Sequence, residues 1–161
     1  MRTLMLGVLV CLAGVSPAFA QAADPAVVAP INTFVTSFNK GDIAAAAATH
    51  AAVADLFIVD EAPPYAWHGT KAVQTWLADL GAADAKAGVT DQAVAIGAPT
   101  RVEVTGTAAY VIVPATYTFK EKGVAMRAAA QMTFFLKKSS GGWLIHGWTW
   151  TGPRASKAAA K

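Results

Sequence analysis

Cysteine is almost missing from this chain. Among 161 residues only Cys11 carries a thiol. It follows Val10, not a small residue, inside the apolar run Leu4 to Val15, so lipidation is not expected there. A domain that begins after it has no thiol, which excludes disulfides, thiolate metal sites and cysteine nucleophiles. Charge is sparse at 14% of residues. Its cations are dispersed, with no basic cluster interleaved with aromatics, so no nucleic-acid partner is expected. The three histidines, His50, His68 and His146, lie far apart and show neither HxxxH nor HxH spacing. No metal site is expected from them. No serine sits in a G-x-S-x-G context and no glycine-rich phosphate loop occurs, so neither that hydrolase chemistry nor a cofactor is expected.

What is present begins with export signals. Arg2 supplies a positive start, Leu4 to Val15 is too short to span a bilayer, and Ala18-Phe19-Ala20 is an A-x-A cleavage site. Residues 1–20 therefore read as a secretory signal peptide, with the mature chain starting at Gln21 in a periplasmic or secreted setting. Without Arg2 the 13 basic residues become 12 against 10 acidic, a net +2. No second long apolar segment follows, so no membrane association is expected after cleavage. The remaining 141 residues (161 minus 20) suffice for one domain with a real core.

The first half reads helical. Ile31, Phe34, Val35 and Phe38 fall on one helix face, although Pro30 limits where that helix can be regular. Gly41 suits a helix end and Asp42 an N-cap for a second helix over Ile43 to Thr49. Asp55 to Asp60 reads as a strand, Ala62-Pro63-Pro64 breaks it, and Tyr65 to His68 is a short extended piece. Thr70 is the expected N-cap of a third helix, in which Val73, Trp76, Leu77 and Leu80 share a face. That helix ends at Gly81 or runs on to Gly88. From Val89 the pattern turns to strands: Thr90 to Ile96, Thr100 to Thr105, Ala108 to Lys120, and Val124 to Lys137. A closing run, Gly141 to Gly152, holds three of the five tryptophans. Strict alternation there groups Trp143, Ile145, Gly147 and Thr149 on one face, and Leu144, His146, Trp148 and Trp150 on the other. Pro153 to Lys161 is expected to be a disordered tail. Helices first and a meander of strands afterwards predict an α+β fold with helices packed on one sheet face.

Three local patterns resemble the nuclear transport factor 2-like, or SnoaL-like, superfamily over about residues 25–152. Phe38-Asn39-Lys40-Gly41-Asp42 resembles its junction between helices one and two. Trp67-His68-Gly69 resembles its entry to helix three, and Trp143-Leu144-Ile145 with Trp148 and Thr151-Gly152 its closing strand. The resemblance implies a cone-shaped domain over residues 21–152: three helices on a curved, mostly antiparallel sheet enclosing a pocket, often homodimeric through the outer sheet face. It also implies pocket positions for Phe34, Tyr65, Trp67, Trp76, Gln131, Trp148 and Trp150. Within the superfamily, ketosteroid isomerase is similar around Asp55 to Asp60 and matches its catalytic aspartate to Asp60. Its oxyanion-stabilising tyrosine and second acid then match Phe34 and Gln131, which replace the donors. In related assembly domains the closing strand carries histidines and an arginine, where Gly147, Thr149 and Trp150 stand here.

Three functions are compatible with these residues. The first is binding of a small, mainly apolar molecule in a tryptophan-lined pocket. The second is an acid–base enzyme of isomerase, dehydratase or cyclase type with Asp60 as base and His68 or Tyr65 assisting. The third is a homodimeric interaction module, which needs Arg127, Gln131 and Tyr117 on the outer sheet face. Asp60-Glu61 is not expected to form a shared carboxylate site, because neighbours on a strand point to opposite faces. Arg127 is expected at the surface.

Overall fold

The computed structural model describes residues 24–159, so residues 1–20, read above as a signal peptide, lie outside the described residues. Helix α1 runs Pro25–Asn39, with Asp24 accepting from the Ala26 N–H at 2.9 Å, and α2 runs Ile43–Ala48. Strand β1 is Phe57–Val59, β2 is Ala66–His68, and α3 is Ala72–Ala87. Strands β3 (Val89–Ile96), β4 (Arg101–Thr105), β5 (Ala108–Glu121), β6 (Val124–Ser139), β7 (Gly142–Thr151) and β8 (Ser156–Lys157) follow. No helix among the described residues is long and apolar enough to cross a membrane.

The local signals act largely as their chemistry dictates. Gly41 takes a φ of +68°, a conformation cheap only for glycine, and Asp42 caps α2 by accepting from the Ala45 N–H at 2.9 Å. The third helix takes the longer course to Ala87 and ends on Gly88 in the left-handed region. Two signals act differently. Helix α1 continues through Pro30, near enough its start that the lost backbone donor interrupts only one early turn. Thr70 is not the cap of α3; Lys71 holds that position and no side chain bonds the first turn.

One mixed sheet carries the strands in the order β2-β1-β7-β6-β5-β3, with β4 also on β5 and β8 on β6. All pairings are antiparallel except β1 with β7. Helices α1 and α3 close over the inner face. Val27, Ile31 and Phe34 of α1, Val73 and Trp76 of α3, and Val111, Phe134, Ile145 and Trp148 of the sheet form its core. Within the segment expected to be a disordered tail, Ser156–Lys157 pair with Met126 and Arg127, and the Ala158 N–H donates to the Ala125 carbonyl at 2.9 Å. The polar, small residues there suit an edge that needs backbone bonds but no side-chain burial.

The closing strand also departs from strict alternation. Phe135 pairs with Gly147 but the next residue, Leu136, pairs with Ile145, so His146 is an extra residue in β7. This bulge resets the phase. Trp143 and Ile145 before it and Trp148 after it are all buried on the core side, rather than split between faces. Gly147, beside the bulge, is fixed by space: a Cβ there would overlap the Phe57 ring. Gly147→Ala is expected to cost about 1–3 kcal/mol through overpacking. Urea denaturation checks this, and Phe57→Ala in the same chain should return part of the loss. A Gly147→Ala midpoint equal to that of the unaltered chain would disprove the steric account.

Candidate functional site

A cavity of about 440 Å³ opens between the helices and the inner sheet face. Its walls are mainly aromatic. From α1 come Phe34 and Phe38, from α3 Trp76 and Leu80, from β5 Tyr117 and Phe119, and from β7 Trp150. Phe38 stacks on Trp76 with centroids 5.7 Å apart, and Tyr117 stacks on Phe119 at 4.8 Å. Trp150 meets Tyr117 edge-on at 6.3 Å.

Polar groups enter this apolar space at a few points. Asp60 follows β1 and keeps the parity of Leu56 and Ile58, so it continues their inward face. Its Oδ2 accepts from Trp76 Nε1 at 2.7 Å and its Oδ1 from the Glu61 N–H at 2.6 Å. Burial pushes its carboxyl above the ordinary aspartate range; the bonds from Trp76 and from the Glu61 and Ala62 backbone oppose that without cancelling it. Asp84, one turn beyond Leu80 on α3, accepts from Gln92 Nε2 at 2.8 Å, and Gln92 Oε1 accepts from the Tyr117 hydroxyl at 2.7 Å. A bulge in β3 between Thr90 and Ala93 lets Val89 and Gln92 both face inward. Burial also raises the Asp84 carboxyl, the Gln92 bond lowers it, and the Asp60 charge raises it. Burial and then the Asp84, Asp60 and Glu61 charges push the Tyr117 hydroxyl up, so it remains a protonated donor.

Asp60 and Glu61 both line the cavity, contrary to the expectation from strand alternation. Strand β1 ends at Val59, and alternation does not extend into the turn that carries both carboxylates. Burial and the neighbouring Asp60 charge raise Glu61, while Arg154 at the cavity wall partly offsets them.

Of the residues expected at the pocket, Phe34, Asp60, Trp76 and Trp150 line the cavity. The others do not. Tyr65 is 56% exposed in the turn before β2. On β2, alternation sends Trp67 inward beneath α3, where its Nε1 donates to Asp79 at 2.8 Å, and sends His68 out to solvent. His68 therefore cannot assist Asp60. Gln131 lies on the exposed face of β6 with Arg127, while Met132 takes the inward position. Trp148 is one layer deeper, in the core, edge-on to Trp76 at 4.9 Å. Tyr117 faces inward and Arg127 outward, so the three residues required for the module reading do not share a face. Asp84, Phe119 and Arg154 are cavity residues that sequence reasoning did not single out, and Tyr117 had been weighed only for the outer face. Trp76, Leu80 and Asp84 recur every four residues, a stripe that could have placed the aspartate.

No protein-family model and no curated protein matches this sequence. Solved structures do. A ketosteroid isomerase-like protein from Erwinia carotovora atroseptica superposes with a TM-score of 0.61 at 26% identity, covering 84% of this chain and 99% of that one. A nuclear transport factor 2-like superfamily protein from Salmonella enterica serovar Typhimurium gives 0.65 at 17%, covering 80% and 89%. A hexachlorocyclohexane dehydrochlorinase gives 0.65 at 11%, covering 83% and 89%. The chain has the nuclear transport factor 2-like α+β fold.

Proposed function

We propose that this chain, built on the nuclear transport factor 2-like fold, binds a small and mainly apolar molecule in the cavity between its helices and its sheet. The observation that carries the reading is the aromatic enclosure itself. A space of about 440 Å³ is walled by Phe34, Phe38, Trp76, Tyr117, Phe119 and Trp150, with polar groups at a few points. That is the size and chemistry of a small-molecule site. The work is done outside the cytoplasm, in keeping with the signal-type residues 1–20 and a domain without cysteine. Amino-terminal sequencing of the exported protein should begin at Gln21; an uncleaved terminus would contradict export by this route.

Calorimetric titration with a neutral bicyclic aromatic alcohol tests the cavity. Saturable binding is expected, and Leu80→Trp, which adds bulk to the wall, should weaken it at least about tenfold, or roughly 1.4 kcal/mol. Equal binding by the folded Leu80→Trp protein would place the ligand elsewhere. No binding by the unaltered chain, of this alcohol or of its charged analogues on the same ring system, would sink the reading.

A second reading rests on Asp60: a cavity-facing carboxylate with a raised pKa can act as general base, and two structural neighbours are named as isomerase-like and as a dehydrochlorinase. In that role Asp60 takes a proton from a carbon acid. The developing oxyanion then lacks the expected donors, since Phe34 has none and Gln131 faces away. Asp60→Asn separates the readings. Under binding alone it leaves affinity for the neutral alcohol within a few-fold; under catalysis it removes turnover of a proton-abstraction substrate by about 100-fold or more.

A further inference from the structure

We infer that the ligand of this cavity is an organic cation: an ammonium group carried on an apolar, preferably aromatic, body. The inference rests on the binding reading and gives it a substrate class.

The charge of the cavity opposes that of the chain. The full chain has 13 basic and 10 acidic residues, a formal +3. Yet Asp60, Glu61, Asp84 and Glu121 line this one space, with Arg154 the only cationic wall residue among the described residues, so that wall carries a formal −3. Four of the ten side-chain carboxylates have gathered at this one cavity, with Asp60, Asp84 and Glu121 half-buried and Glu61 exposed. The three ion pairs among the described residues engage Glu103, Asp91 and Asp55, none of these four. The contacts Asp60 and Asp84 do make are hydrogen bonds from neutral donors, Trp76 and Gln92, which orient a carboxylate without cancelling its charge.

The apolar walls suit the same guest. Trp76, Tyr117, Phe119 and Trp150 present aromatic rings to the space, and such rings attract a cation over their faces. An anion would meet four like charges along the wall. A neutral ligand would leave Asp60 and Asp84 with their neutral donors but without a countercharge. An ammonium group satisfies them, and its apolar body takes the remaining wall.

The test uses three probes with one ring system: naphthylmethylamine as its ammonium, naphthalenemethanol as the neutral form, and naphthoate as the anion. Each is titrated calorimetrically into the purified protein at neutral pH. The ammonium should bind at least about tenfold more tightly than the alcohol, with naphthoate weakest. Raising the salt from about 0.05 M to about 0.5 M should weaken the ammonium alone. Asp84→Asn should cut the preference at least about threefold, and Asp60→Asn with Asp84→Asn should abolish it while the alcohol still binds. Thermal melts confirm that each variant is folded, and Glu61→Gln replaces Asp60→Asn if the latter is not. An alcohol that binds as tightly as the ammonium overturns the charge inference and leaves the binding reading standing. Silence from all three probes overturns both.

Discussion

Trp148→Ala is expected to lower the unfolding free energy by about 3–5 kcal/mol, a large fraction of the roughly 5–15 kcal/mol that holds a domain together. Trp148 is 1% exposed and joins the two layers of the fold. It comes from β7, meets Trp76 of α3 edge-on at 4.9 Å, and packs against Phe34 of α1 with centroids 5.7 Å apart. Alanine would remove those contacts and leave a void beneath the cavity floor. It would also strip His50 Nε2 of the indole N–H that it accepts at 3.1 Å. Trp148→Phe separates the two effects: it keeps most of the volume and loses the donor, so about 1–3 kcal/mol should go. Denaturant midpoints measure both. An alanine variant within about 1 kcal/mol of the unaltered chain would show that Trp148 is not the keystone described here.

The second large effect is a pH dependence centred on His50. Its Nε2 accepts from Trp148, so the proton sits on Nδ1, which is 3.0 Å from the Ala46 carbonyl oxygen. Burial lowers its pKa from 6.5 to about 4, with the Ala46 bond opposing the shift. The unfolded chain takes up this proton near pH 6.5; the folded chain resists until near pH 4. Between those values the unfolded state binds more protons, so stability falls as pH falls. His50 contributes its full share above pH 6.5 and loses it down to about pH 4, a change of about 3 kcal/mol. His146, also lowered, acts in the same direction, while the raised carboxyls of Asp60, Glu61 and Asp84 act in the opposite one. Comparison with His50→Gln removes these shared contributions. The loss of stability between pH 7 and pH 4.5 should be smaller in the variant by about 2–3 kcal/mol. Parallel curves for the two proteins would refute the role given to His50.

The helices and strands were legible where local chemistry decides. Helical spacing marked the core face of α1 and α3, and the Gly41-Asp42 pair marked the α1–α2 junction. Pocket membership rested on the resemblance, and of the positions it implied the cavity wall holds Phe34, Asp60, Trp76 and Trp150. It failed at Tyr65 and His68 because a short turn and a three-residue strand reverse direction before any periodicity develops. It failed at Gln131 because a resemblance carries a position and not a facing, and β6 turns that position outward. Asp84 and Glu61 were missed for a different reason. Carboxylates read as solvated until distant apolar walls are known to surround them, and those walls come from α1, β5 and β7.

The extra residue at His146 has a consequence for any residue-by-residue transfer onto the last strand. A relative without that bulge has one residue fewer between its Trp143 and Trp148 equivalents. An ungapped correspondence anchored on the turn before Trp143 would then map every later inward residue onto an outward one. One anchored on Trp148 would make the opposite error upstream. Sites should be carried onto Trp148 and Trp150 through their partners across the ladder, Phe134 and Met132, which keep count on a strand that has no insertion there.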